Sequence, residues 1–263
     1  EFQYFTTVSS IGQYAFWGTP FKKLNMRTVT IPDTVVHIET SAFETIGLSS
    51  LHIPKNVKYI GDSAFAHNKI SKLTFENGIE TIGNNAFMYN SLTTLDIPDS
   101  VTHIRLAAFK MNKLTIVNIG KNVKLIDEMS FENNKINSLT IPDSVEIIGD
   151  SAFRDNKIQS LSLGNAVIKI GERAFKNNSI NSLTIPDSVQ TIGEVAFSNN
   201  NIQRLSIGNG VKLIDEYAFS YNNIQSLSLG NAVKKIGSGA FRDNSINSLT
   251  IPDSVETVSY THL

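Results

Sequence analysis

Residues 134–153 read Asn-Lys-Ile-Asn-Ser-Leu-Thr-Ile-Pro-Asp-Ser-Val-Glu-Ile-Ile-Gly-Asp-Ser-Ala-Phe. Leu139 and Ile141 alternate with Ser138 and Thr140, the period-two pattern of a short strand with one buried face. Pro142 lacks the N–H that would continue a ladder, and Pro-Asp-Ser forms a turn. Val145 and Ile148 then point back inward from the opposite wall as a second short strand. Gly149, or the Asp127 and Asp215 that replace it, reads as the N-cap of a single helical or 3-10 turn ending near Ala152-Phe153.

This segment recurs. Phe43, Phe65, Phe87, Phe109, Phe131, Phe153, Phe175, Phe197, Phe219 and Phe241 stand 22 residues apart without a slip. A fixed short period means one supersecondary unit stacked many times, each copy burying its apolar face against its neighbours. The expected fold is an α/β repeat solenoid with a parallel concave sheet, short second strands and helical or 3-10 turns opposite. Stacked at ~4.8 Å, each buried ring contributes roughly 1.5–3 kcal/mol, so the phenylalanines form the cohesive spine.

An asparagine follows three residues after each spine ring from the second onward: Asn68, Asn90, Asn112, Asn134, Asn156, Asn178, Asn200, Asn222 and Asn244. An amide offers two donors and an acceptor, enough to satisfy buried turn groups of its own and adjacent coils. A second period is overlaid: Pro54, Pro98, Pro142 and Pro186 lie 44 residues apart, and the coil after each carries Glu76, Gly120, Gly164 or Gly208 at that position. The next position alternates Asp with Lys or Asn, which keeps carboxylates out of adjacent coils.

The chain is expected to be one domain over residues 1–257, about twelve coils, cut at both ends. Residues 258–263 abandon the pattern and read as a non-native tail. A net charge of -1 with lysines spread over the coils excludes a nucleic-acid partner, and no run of 18 apolar residues spans a membrane. Cysteine is absent, which removes disulfides and thiolate sites. His37, His52, His67, His103 and His262 show no metal-ligand spacing, and the serine-nucleophile, phosphate-loop and dinucleotide motifs are missing. The chain is read as a non-enzyme with no cofactor and no metal.

Candidate partner-binding residues are those that vary on the strand face or break the repeat. Flanking each ladder leucine, the face carries Ser50/His52, Lys72/Thr74, Thr94/Asp96 and Ile116/Asn118, then only Ser and Thr apart from Arg204. His52, Lys72, Asp96, Asn118 and Arg204 are therefore singled out. Phe16 to Phe43 spans 27 residues, five more than the repeat, and the extra length includes Trp17 and Phe21 as aromatic anchors. The monotone later coils suit an alternative role as a stalk that spaces another domain.

The elements Asn-x-Ile-x-x-Leu-x-Ile-Pro-x-x-Val-x-x-Ile-Gly-x-x-Ala-Phe, present from residue 2 to about 257, resemble the BspA-type leucine-rich repeat. That resemblance implies a leucine-rich-repeat fold. It also implies an extracellular or cell-surface location, mostly in bacteria, and a role in adhesion to host extracellular-matrix proteins or other cell-surface proteins. Many relatives carry Cys where this chain has Asn, and no attachment segment is visible.

Overall fold

The computed structural model describes residues 7–18 and 27–259. Their contacts gather into two compact units, residues 1–123 with 130–135 and residues 124–129 with 136–263. Each is a stack of 22-residue coils.

In unit 1 the second wall is a row of two-residue parallel strands: Ser10–Ile11, His37–Ile38, Tyr59–Ile60, Thr81–Ile82 and His103–Ile104. The leucine strands oppose it. Thr28–Val29, Ser50–Ile53 and Lys72–Phe75 pair in register, as do Thr94–Asp96 and Ile116–Asn118. Pairing lapses between Lys72–Phe75 and Thr94–Asp96. There Phe75 replaces the usual Ile or Leu and sets its ring edge-on to Phe87, centroids 5.9 Å apart.

Unit 2 repeats the plan. Its second wall runs Leu125–Ile126, Ile147–Ile148, Lys169–Ile170, Thr191–Ile192, Leu213–Ile214, Lys235–Ile236 and Thr257–Val258. Its leucine strands are Ser138–Thr140 with Ser160–Ser162, then Ser182–Ile185, Arg204–Ile207 and Ser226–Ser228. In both units Leu, Ile and Val from the two walls meet the spine rings in a core sealed from solvent.

The spine rings stack nearly parallel. In unit 1, Phe16, Phe43, Phe65, Phe87, Phe109 and Phe131 follow one another with centroids 5.0 to 5.5 Å apart. In unit 2, Phe153, Phe175, Phe197, Phe219 and Phe241 do so at 5.1 to 5.6 Å. Phe16 keeps its place in the stack despite the five extra residues, because its N–H still reaches the next coil at Ala42 O, 2.9 Å.

The expected helical or 3-10 turns are not there: the described residues contain no helix. Two positions per coil hold the left-handed backbone, two residues before and two residues after the spine ring, as at Ser151 (φ 56) and Asp155 (φ 56). A right-handed helical run cannot include them. Alternate amides instead bond along the stack: Ser151 N–H to Glu172 O at 2.7 Å, Phe153 to Ala174 at 2.8 Å, Asp155 to Lys176 at 3.0 Å. The intervening amides close local turns, Ala152 to Gly149 at 3.3 Å and Arg154 to Ser151 at 3.1 Å. Gly149 thus opens a β-turn whose neighbours are tied coil to coil.

The asparagines complete that third wall. Asn200 Nδ2 donates to Phe175 O and Phe197 O at 3.0 and 3.1 Å, while its Oδ1 accepts the Ile180 N–H at 3.0 Å. Asn90 does the same with Phe65, Phe87 and Ile70. Asn68 accepts three amides at once, Ile46, Gly47 and Leu48. Each amide so satisfies backbone groups of two coils that would otherwise be buried unpaired. At this position successive coils pass close together: a Cβ at Gly120, Gly164 or Gly208 would run into the backbone of Pro98, Pro142 or Pro186 in the preceding coil.

Candidate partner-binding surface

On the outer face of the unit 1 leucine strands, in-register pairing places Ser50 beside Lys72, His52 beside Thr74, Thr94 beside Ile116 and Asp96 beside Asn118. Side chains link along the row. His52 Nδ1 meets Thr74 Oγ1 at 2.9 Å and its Nε2 lies 3.6 Å from Glu76 Oε1. Asn118 Nδ2 donates to Asp96 Oδ1 at 2.6 Å. Lys72 is exposed and has no ion pair among the described residues. A shallow groove of about 290 Å³ runs over Thr28, Ser50, His52, Lys72 and Thr74. This arrangement offers fixed donors and acceptors on a rigid floor, with one unpartnered cation beside them.

Arg204 belongs to unit 2, between Ser182 and Ser226. Trp17 is half exposed at 54%, its ring edge-on to Tyr14 at 5.9 Å, so both rings offer surface near the five-residue insertion. Phe21 and His262 lie outside the described residues.

Reading along the chain missed the exposed rings of the turn wall. His67 and Tyr89, each two residues after a spine ring, stack at 4.8 Å in unit 1. In unit 2 Tyr221 is 52% exposed, and with Asp243 and Tyr217 it surrounds Arg242 and raises the pKa of that guanidinium. Their register was visible in the sequence, but only when coils are compared position by position. The cations are spread evenly over the units, as expected, and the carboxylates are not. Unit 1 holds 12 Lys and Arg against 10 Asp and Glu, unit 2 holds 11 against 14.

On the proline-turn surface of unit 1 the Lys121 ammonium and backbone N–H both bond the Asp99 carboxylate, which lowers its pKa and raises that of Lys121. Burial, with Asp62 and Glu39 adding to it, raises the Tyr59 phenol against the opposing pull of Arg105. Among the described residues no three His, Asp or Glu side chains gather to hold a metal ion, and no helix is long and apolar enough to cross a membrane.

The sequence profile of the BspA type leucine rich repeat region matches residues 9–137 and 146–262, in six copies. The chain belongs to the BspA-type leucine-rich-repeat family. Solved leucine-rich-repeat structures share its fold. One, a leucine-rich repeat protein from Bacteroides ovatus, is 22% identical with a TM-score of 0.62 over 95% of this chain and 78% of that one. Another, a leucine rich cell surface protein from Faecalibacterium prausnitzii, is 21% identical with a TM-score of 0.52 over 96% of this chain and 73% of that one. None of the curated proteins compared with the chain matches it.

Proposed function

We propose that this BspA-type domain is a non-enzymatic protein-binding module of a bacterial cell-surface or secreted protein, acting in adhesion. The observation that carries the reading is the unit 1 strand face, where His52, Lys72, Asp96 and Asn118 depart from the Ser/Thr norm and project outward on in-register strands. A rigid ladder that varies chiefly on its outside is what a binding surface spread over several coils requires. The family and the cell-surface description of one structural relative support the location. The partner class is a host extracellular-matrix or cell-surface protein.

A spacer reading is favoured by one observation in unit 2, whose outer positions are Ser or Thr in every described leucine strand except for Arg204. Immobilised matrix proteins probed with the purified chain separate the two. Saturable binding weakened by Lys72→Ala or Asp96→Ala supports the binding module. A chain inert to all of them supports the spacer.

A further inference from the structure

Unit 1 carries another exposed band, on the edge that leads from the asparagine ladder into the leucine strands. Lys69, Ser91, Lys113 and Lys135 each directly follow a ladder asparagine. Their backbones are held in one column, because each donates its N–H to the preceding coil, to Leu48, Ile70, Leu92 and Leu114 O at 2.8–2.9 Å. All three lysines are exposed, and none has an ion pair among the described residues. Lys113 reaches only Ser91 Oγ, at 3.4 Å.

The coils here advance by 5.2 to 5.5 Å between spine rings, so Lys113 and Lys135 are one such step apart and Lys69 two steps from Lys113. The flanking segments 67–72, 89–94, 111–116 and 133–135 contain no Asp or Glu, and Glu132, just before the last of them, is buried and paired with Lys110. Like charges so close raise the local potential and draw anionic groups from solution. In unit 2 the same column reads Lys157, Ser179, Asn201, Asn223 and Ser245, with a single cation.

We infer that this edge of unit 1 docks an acidic protein segment. The inference rests on the protein-binding reading above and names the chemistry of the partner. Charge complementarity calls for an anion, and three details favour a polypeptide over a sulfated glycan. The cations are all lysines, without the bidentate arginine fork that suits sulfate and phosphate groups. The His67 and Tyr89 rings, 19° from parallel, turn their faces on each other and leave no platform for a sugar ring between them. Tyr89 and Ile116, 42% and 55% exposed, lie two residues before Ser91 and three residues after Lys113 in the chain and offer apolar area to side chains.

The test uses the full chain and three probes: a short peptide of Asp, Glu and Leu, its Asn/Gln counterpart, and a heparin oligosaccharide. The acidic peptide binds at about 50 mM salt and about tenfold more weakly at about 300 mM, as screening predicts for exposed charges. Lys69→Gln/Lys113→Gln/Lys135→Gln lowers its affinity about tenfold at unchanged Tm, whereas Lys235→Gln, exposed on the second wall of unit 2, has no effect. Undiminished binding by the triple variant overturns the inference. So does heparin binding that this variant loses while the peptide fails to bind, which assigns the edge to a glycan. If both peptides bind equally and depend on Lys72 and Asp96, the edge proposal fails and the strand-face reading stands. If no peptide and no matrix protein binds, both fail.

Discussion

Lys72 and Arg204 occupy the same position of the repeat, one in each unit, and their surroundings differ. Lys72 sits beside the His52–Thr74–Glu76 row and just before Asp96–Asn118, while Arg204 stands between two serines. Beneath them the scaffold is the same: parallel rings 5 to 6 Å apart, two strand walls and a ladder of asparagines. The comparison teaches that inward positions are held by packing, where a changed volume is felt at once, and outward positions are free to diverge. Unit 1 diverged toward a varied, basic surface and unit 2 stayed close to one motif.

The largest effect should come from breaking the shared scaffold. Phe87→Ala and Phe197→Ala each remove a fully buried ring stacked on both sides, and should cost ~3–5 kcal/mol by denaturant unfolding. Phe241, 3% exposed and stacked on Phe219, should cost less when truncated. Equal losses at Phe197 and Phe241 would contradict the stacked-ring account.

Next comes the asparagine ladder. Asn200→Ala leaves the buried Ile180 N–H without its acceptor and takes one of two amide donors from each of Phe175 O and Phe197 O, which keep Asn178 and Asn222, and roughly 1–3 kcal/mol should be lost. Asn244, half-buried, makes the same kind of bonds to Phe219, Phe241 and Ile224, and its replacement should cost clearly less because water can take over.

A smaller effect of opposite sign tests the turn wall. Val195 holds φ 59, where a β-branched side chain is strained, while Asn85 holds φ 56 at the same position of its own coil. Val195→Asn should therefore stabilise unit 2 by about 1 kcal/mol. A loss instead would mean that the Val195 side chain does something besides strain the backbone.

How much of this was legible in the sequence follows from what the sequence encodes. The period, the inward Leu, Ile and Val, the spine rings and the register of the asparagines are one-dimensional patterns that convert directly into stacked contacts. The sign of φ is not such a pattern. Met129, Val195 and Tyr217 share a left-handed position with Ser63 and Asn85, and nothing about Met, Val or Tyr announces it. The turns therefore read as helical. The lysine edge was missed for another reason: Lys69, Lys113 and Lys135 are far apart along the chain and adjacent only across coils.

The smallest effect concerns pH at the surface. The folded pKa of Asp99 is depressed by its bonds to Lys121, so this pair contributes stability above the ordinary carboxylate pKa, and that contribution is lost as pH falls through the depressed value. Screening keeps it small for so exposed a pair. Lys121→Ala should move the Asp99 titration back up, read by NMR, with Tm almost unchanged.

The contrast between the units is tested most directly by paired variants in one binding assay against an immobilised matrix protein that the wild-type chain binds. Lys72→Ala/Asp96→Ala in unit 1 should weaken binding about tenfold, and Ser160→Ala/Thr184→Ala at matching outer positions of unit 2 should leave it unchanged, both at wild-type Tm. Equal losses from the two pairs, or a loss from the unit 2 pair alone, would contradict the claim that unit 1 carries the binding surface.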